Sequence, residues 1–186
     1  MSSDVNRSEP FGGVKPAGFV SPKTVALYGI LTALTAAITY ASYTPFSPTK
    51  GYFNLGDSMV FFSALTLGWR AGSVCGGIGS AAADILLGSG IYAPITLVAK
   101  GGEGFLSGVI GRTKNGTTWR IVAGICVGGS FMILTYFFGE LIVLDVGLGK
   151  ALAEVPINIG QVVLGGIIGA LLSYYVRRSY PSLTAS

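Results

Sequence analysis

VPINIGQVVLGGIIGALLSYYV, residues 155–176, decides the fold of this chain, because its 22 residues include no Asp, Glu, Lys or Arg. A helix needs about 20 consecutive apolar residues to cross the hydrocarbon core of a bilayer. Two further stretches come to about that length without a charge, residues 24–49 and residues 121–139. Three membrane-spanning helices are therefore predicted.

The composition of the whole chain agrees with a membrane protein. Of the 186 residues, 51% are hydrophobic and only 11% are charged, whereas soluble domains carry about a quarter charged residues. The first 23 residues are polar and rich in proline and glycine, which predicts a flexible tail rather than a cleaved signal. Cys75 and Cys126 both lie in apolar segments, so we expect two small buried hydrophobes and no disulfide.

Charged residues interrupt the middle of the chain and allow two interpretations of residues 55–87. In one, residues 55–68 and 71–87 are two short spans joined by a tight turn at Trp69 and Arg70. In the other, they form a single span with a loop, or a re-entrant hairpin that would place Arg70 at membrane depth at a cost of several kcal/mol. Residues 91–111 form a further span in both.

The placement of basic residues favours six spans with both termini in the cytoplasm, because cytoplasmic loops are enriched in Lys and Arg. Six spans put nine basic residues on the cytoplasmic side and two on the other, whereas a single span over residues 55–87 gives four inside and six outside. The nine are Arg7, Lys15, Lys23, Arg70, Arg112, Lys114, Arg120, Arg177 and Arg178, and the two are Lys50 and Lys150. We therefore predict an all-α membrane protein with residues 1–23 and 179–186 as cytoplasmic tails around a six-helix domain at residues 24–178.

Small residues recur at four-residue spacing along several of these helices. That spacing lets membrane helices approach closely, so we expect most of the glycines to serve helix packing. The glycine pairs are Gly72 and Gly76, Gly104 and Gly108, Gly124 and Gly128, and Gly165 and Gly169. On the first helix, Ala33, Ala37 and Ala41 form a stripe that is either a seam inside the bundle or a docking face for another membrane protein.

Several kinds of chemistry are excluded. The chain has no histidine and two separated cysteines, so neither a transition-metal site nor imidazole catalysis is expected, and we predict no metal and no cofactor. The basic residues lie in short loops between spans, which explains the net charge of +4 without nucleic acid. No Gly-x-x-x-x-Gly-Lys-Ser/Thr pattern occurs, so any active transport must draw energy from an ion gradient or from partner proteins.

Two ionisable residues stand deep in the fourth span. Lys100 and Glu103 lie about 14–18 Å from its outer end at 1.5 Å per residue, near the middle of the bilayer. Charged groups at that depth are costly and usually face a cavity or each other. Their spacing of three residues allows a structural ion pair, and a polar pocket is the functional alternative.

A face of the last helix favours the pocket. Glu154, Asn158 and Gln161 follow at intervals of four and three residues and so share one side of a helix. Together with Lys100 and Glu103, we predict that they bind a small polar ligand with a flat ring, near an outer entrance formed with Asn54, Asp57 and Tyr92.

Three segments resemble the substrate-binding (S) components of energy-coupling factor (ECF) vitamin transporters, over about residues 24–178. They are GYFNLGD at residues 51–57; Ala83 and Asp84 with Gly88, Ile91, Tyr92, Ala93, Pro94, Lys100, Glu103 and Gly104; and Glu154, Pro156, Asn158 and Gln161 with Gly165 and Gly169.

The resemblance implies a high-affinity vitamin-binding subunit in a prokaryotic cell membrane, with no enzymatic activity of its own. Such subunits work with a membrane coupling (T) protein and two cytoplasmic ATPases, and Ala33, Ala37 and Ala41 fit the stripe that contacts the coupling protein. The substrates implied are hydroxymethylpyrimidine first, then pyridoxine, riboflavin or cobalamin. The alternative function is a stand-alone ion-coupled transporter or small channel with Lys100 and Glu103 as the coupling pair.

Overall fold

The computed structural model describes residues 21–45, 52–113 and 117–180 and is built mainly of six α-helices, which confirms the predicted fold class. Two short strands of two residues each pair antiparallel between the first two helices, and a π-helical turn at Gly139–Val143 continues the fifth helix. The elements are α1 (Pro22–Ala41), β1 (Thr44–Pro45), β2 (Tyr52–Phe53), α2 (Asp57–Leu67), α3 (Trp69–Leu86), α4 (Ala93–Gly111), α5 (Thr118–Phe138) and α6 (Leu148–Ser179).

Three of these helical segments are long and apolar enough to cross a bilayer, Pro22–Ala41, Thr118–Val143 and Leu148–Ser179. These are the three spans that the uncharged stretches predicted. The start of α1 and the end of α6 lie within two residues of the predicted domain limits at 24 and 178. Most of the two predicted tails, residues 1–20 and 181–186, lies outside the described residues, as do Lys50 and Lys114.

Residues 55–87 form two helices rather than one span. Gly68 separates α2 from α3 and has a φ of +98°. Residues with a Cβ rarely adopt this backbone conformation. The short α2 is buried along nearly its whole length, from Asp57 to Thr66. It packs against α3, α4 and α6 and forms the centre of the bundle.

Glycines bring the helices together, as their spacing predicted. A Cβ added at Gly104 would lie 2.2 Å from the Gly72 carbonyl oxygen, so α3 and α4 meet backbone to backbone. A Cβ at Gly165 would lie 2.5 Å from the Asp57 Cβ, which places α6 directly against the start of α2. Cys75 is buried as expected, but Cys126 is exposed on α5 because it points away from the bundle.

Arginines gather at one end of the bundle. Arg177 at the end of α6 donates to the carbonyls of Leu65 and Thr113, and Arg120 Nε donates to the Ile110 carbonyl oxygen at 3.2 Å. The Arg112 side chain lies against Gly68. Five basic residues that the sequence assigned to the cytoplasmic side, Arg70, Arg112, Arg120, Arg177 and Arg178, therefore belong to helix ends that meet at this end of the bundle.

We predict that this arginine-rich end faces the cytoplasm. Lys150 and Ser179 are exposed at opposite ends of α6 and can each be replaced by cysteine in a Cys126→Ser background. A membrane-impermeant maleimide applied to intact cells should label Lys150→Cys, and it should label Ser179→Cys only after the membrane is permeabilised. The reverse pattern would contradict the predicted orientation.

Candidate functional site

A small polar cavity of about 30 Å³ lies at the end of the bundle opposite the arginines. It is formed where α3 and α5 end and where α4 and α6 begin, and β2 covers one side. Among the described residues, its walls carry three carboxyl groups, three amides and three tyrosines. The lining residues are Tyr52, Asn54, Asp84, Tyr92, Thr96, Tyr136, Glu140, Glu154, Asn158 and Gln161.

An amide network forms one wall and joins the segment after β2 to α6. Asn54 Nδ2 donates to Gln161 Oε1 at 2.6 Å, and Gln161 Nε2 donates to Asn158 Oδ1 at 3.0 Å. Asn54 Oδ1 accepts the backbone N–H of Gly56 at 2.8 Å, just before α2 begins. All three amides are at most 6% exposed. The wall is therefore preorganised, and Gln161 both lines the cavity and holds Asn54 in place.

Tyrosine hydroxyls form the opposite wall. Tyr52 donates to the Asp84 carboxylate near the end of α3, and the Tyr136 hydroxyl donates to Thr96 Oγ1 at 2.9 Å. The Tyr52 ring also packs on Tyr43 with 4.8 Å between ring centroids. Burial, with the charge of Asp84, raises the pKa of Tyr52 above its usual range. Tyr52 therefore stays a neutral phenol at physiological pH and keeps its hydrogen bond to Asp84.

Glu140 enters the cavity through the π-helical turn. In this turn the backbone N–H of Leu144 bonds to the Gly139 carbonyl, which widens the helix locally. Glu140 is only 1% exposed and lines the cavity beside Glu154. The carboxyl groups of these two residues lie close enough to interact electrostatically.

Five of the eight predicted ligand-binding residues line the cavity. Glu154, Asn158 and Gln161 share one wall, as their helical spacing predicted, and Asn54 and Tyr92 border the same space. Their role in binding stays a prediction, but the structure brings them together from three separate parts of the chain.

The other three, Asp57, Lys100 and Glu103, do not line the cavity. Lys100 lies one turn beyond Thr96 on α4, and its ammonium group forms an ion pair with the Asp57 carboxylate. Lys100 Nζ is also 3.7 Å from Glu103 Oε2. All three side chains are at most 3% exposed. In this structure the three groups interact with one another inside the bundle, and their role in ligand binding stays a prediction.

Tyr136 separates this buried ion cluster from the cavity. Lys100 Nζ lies 5.7 Å from the centre of the Tyr136 ring, whose hydroxyl faces the cavity at Thr96. Lys100 and Glu103 are the coupling pair of the stand-alone transporter hypothesis. Both therefore lie beneath the cavity, where Lys100 forms its ion pair with Asp57.

Five lining residues were absent from the predicted site, namely Tyr52, Asp84, Thr96, Tyr136 and Glu140. Tyr52 and Asp84 do occur in the segments that carry the family resemblance. Thr96 precedes Lys100 by one helical turn, which was a usable signal for the same face of α4. Glu140 follows the uncharged stretch at residues 121–139 directly, and a regular helix gives no reason to turn it inward.

Ala33, Ala37 and Ala41 are exposed along α1, whereas Thr35 and Thr39 face the bundle. A seam inside the bundle, one of the two interpretations of this stripe, is therefore wrong. The stripe forms a smooth external surface that lies away from the residues lining the cavity.

Comparisons with known proteins agree with this architecture. Residues 19–178 match the family model described as "ECF-type riboflavin transporter, S component". A Pyrococcus woesei protein described as "uncharacterized protein in gap 3′region" is 38% identical over 136 residues, which cover 72% of this chain and 88% of that protein. The thiamine precursor transporter HmpT of Lactococcus lactis is 28% identical over 158 residues, or 84% of this chain and 89% of that protein.

Among solved structures, the S component of a bacterial ECF transporter superimposes with a TM-score of 0.60. The match covers 88% of this chain and 98% of the other at 15% identity, and it supports the fold.

Proposed function

Since this chain belongs to the ECF-type riboflavin transporter S-component family, we propose that it binds a small nitrogen-containing heteroaromatic vitamin, with hydroxymethylpyrimidine as the leading ligand. Members of the family are multi-pass membrane proteins of prokaryotes and are transporter components, not enzymes. The observation that carries the proposal is the polar cavity with its amide wall, its tyrosines and its carboxyl groups.

The size of the cavity favours a single-ring ligand. Its volume is only about 30 Å³, so the walls must move apart to admit any vitamin, and a single ring requires the least movement. A pyrimidine or pyridine ring with small substituents suits this space better than the much larger corrin ring system of cobalamin.

The chemistry of the cavity walls favours a ring with both donors and acceptors. Amides at Asn158 and Gln161 offer N–H and C=O groups that match ring nitrogens and hydroxyls. Tyr92 is 7% exposed at the cavity and offers an aromatic surface for stacking. The similarity to a thiamine precursor transporter supports the same class of ligand.

Transport would require partner proteins. We propose that a membrane coupling (T) protein docks on the alanine stripe of α1 and that two cytoplasmic ATPases supply the energy, in keeping with the missing P-loop. The alternative of stand-alone ion-coupled transport predicts uptake into liposomes without ATP, and such uptake would overturn this part of the proposal.

We expect Asn158→Leu and Gln161→Leu each to weaken vitamin binding about 5- to 150-fold, since losing one buried hydrogen-bonding partner costs about 1–3 kcal/mol. Calorimetry on folded, monodisperse protein would measure the change. Val163→Leu is the matched control, because Val163 lies two residues from Gln161 on α6 but is 52% exposed outside the cavity.

Parallel titration of hydroxymethylpyrimidine, pyridoxine, riboflavin and cobalamin would identify the ligand. Unchanged binding in both leucine variants would rule out the α6 wall as the site. Tight binding of cobalamin alone would overturn the proposal of a single-ring ligand.

A further inference from the structure

A hydroxyl group at the end of α1 is bonded to the segment that carries Asn54. Ser42 follows α1 directly, and its Oγ accepts the backbone N–H of Leu55 at 2.8 Å. The same hydroxyl donates to the Ile38 carbonyl oxygen at 2.6 Å, one turn back on α1. Because the bond to Ile38 fixes the side chain against its own helix, the oxygen is held in place to accept from Leu55. Ser42 therefore ties the residue after Asn54 to α1.

A close approach at the next residue adds a second contact between α1 and this segment. Gly56 packs against Thr39 so closely that an added Cβ would overlap the Thr39 hydroxyl group. Thr39 is 1% exposed and faces the bundle from α1, three residues before Ser42. The Gly56 carbonyl oxygen in turn accepts the N–H of Met59 at 2.9 Å, in the first turn of α2. Leu55 and Gly56 are thus held between the end of α1 and the start of α2.

These contacts determine where the Asn54 amide lies. Asn54 directly precedes Leu55, and its Oδ1 accepts the Gly56 N–H at 2.8 Å. Its Nδ2 donates to Gln161 in the cavity wall at 2.6 Å. A shift of the Leu55 backbone would therefore disturb both ends of the Asn54 side chain. Ser42 is not among the described residues that line the cavity, so its effect on a ligand would pass through this segment.

We propose that Ser42 is a positioning residue for the vitamin-binding cavity: its hydroxyl group holds the Leu55 backbone and thereby keeps Asn54 in the amide wall. This inference rests on the proposed function. Without the hydroxyl group, the Leu55 N–H loses its acceptor and Asn54 gains freedom. Ligand binding would then have to order the wall, which opposes binding, whereas a preorganised wall avoids that cost.

Ser42→Ala tests the hydroxyl group. In calorimetry on folded protein, we expect it to weaken binding of hydroxymethylpyrimidine by about 3- to 10-fold, the effect of one neutral hydrogen bond. Ser42→Thr keeps a hydroxyl group at this position and should bind within about twofold of the unaltered protein. Thr44→Ala is the matched control, because it removes an exposed hydroxyl group two residues away and should bind like the unaltered protein. Undiminished affinity in Ser42→Ala would overturn the inference.

A double-mutant cycle separates positioning from general stability. Asn54→Ala should weaken binding by itself, and adding Ser42→Ala to it should cause no further loss, because Ser42 acts through Asn54. Independent effects would multiply, so the double variant would then bind about 3- to 10-fold more weakly than Asn54→Ala alone. Such a multiplied loss would mean that Ser42 only stabilises the bundle, and it would overturn the inference.

Amide hydrogen exchange provides a measurement without ligand. NMR on isotope-labelled protein in detergent micelles should show faster exchange at Leu55 and Gly56 in Ser42→Ala. The Leu55 N–H loses its acceptor in that variant, and the Gly56 N–H depends on the position of Asn54.

Unchanged exchange at Gly56 would overturn the inference, whether or not a vitamin binds. The proposed function fails separately, if the unaltered protein binds none of hydroxymethylpyrimidine, pyridoxine, riboflavin and cobalamin. Faster exchange at Gly56 in such a protein would still support the positioning of Asn54 by Ser42.

Discussion

Lys100→Met is expected to lower the free energy of unfolding by about 3–5 kcal/mol, the usual cost of removing one partner from a buried ion pair. Methionine fills nearly the same volume, so the loss would come from charge rather than from a cavity. The Asp57 and Glu103 carboxylates, both fully buried, would be left without their cation. Reversible unfolding in mixed detergent micelles would measure the change.

Two further variants separate charge from packing. Asp57→Asn combined with Lys100→Met should be less destabilised than the sum of the single changes, because the pair is removed as a unit. Glu103→Gln should have a much smaller effect than Lys100→Met, since the pair between Lys100 and Asp57 remains. A Lys100→Met loss no larger than that of Glu103→Gln would contradict a stabilising role for the cluster.

The ion cluster also shows why the sequence predicted only some of its contacts. Spacing along one helix predicts the contact between Lys100 and Glu103, because both residues lie on α4. Asp57 lies 43 positions away on α2, and only the packing of α2 at the centre of the bundle brings it to Lys100. The depth of Lys100 and Glu103 in the span could be predicted from their positions in the sequence. Their contact with Asp57 outside the cavity could not.

Only those cavity residues that lie on one regular helix could be predicted from their spacing. Glu154, Asn158 and Gln161 share an uninterrupted helix, and a spacing of four and three residues places side chains on a common face of any regular helix. Glu140 depends on a π-helical turn, which alters the direction of its side chain and leaves no mark in hydrophobic periodicity. The six helices were predictable because length, charge placement and glycine spacing all agreed.

Ala37→Trp is expected to abolish vitamin uptake by the complete transporter while leaving the ligand affinity of the isolated subunit unchanged. Ala37 is exposed in the middle of the alanine stripe on α1, and none of the stripe residues lines the cavity.

Small residues at this spacing allow a second membrane helix to approach α1 closely, and an indole ring would hold that helix away. Uptake by cells that contain the coupling protein and ATPases, together with co-purification of the coupling protein on the tagged subunit, would measure both effects. Cys126→Trp is the matched control, because Cys126 is exposed on α5 and a ring there should leave uptake intact. An equal loss of ligand affinity in Ala37→Trp would show that the substitution disturbs the bundle rather than a docking surface, and normal uptake would show that the coupling protein docks on another surface.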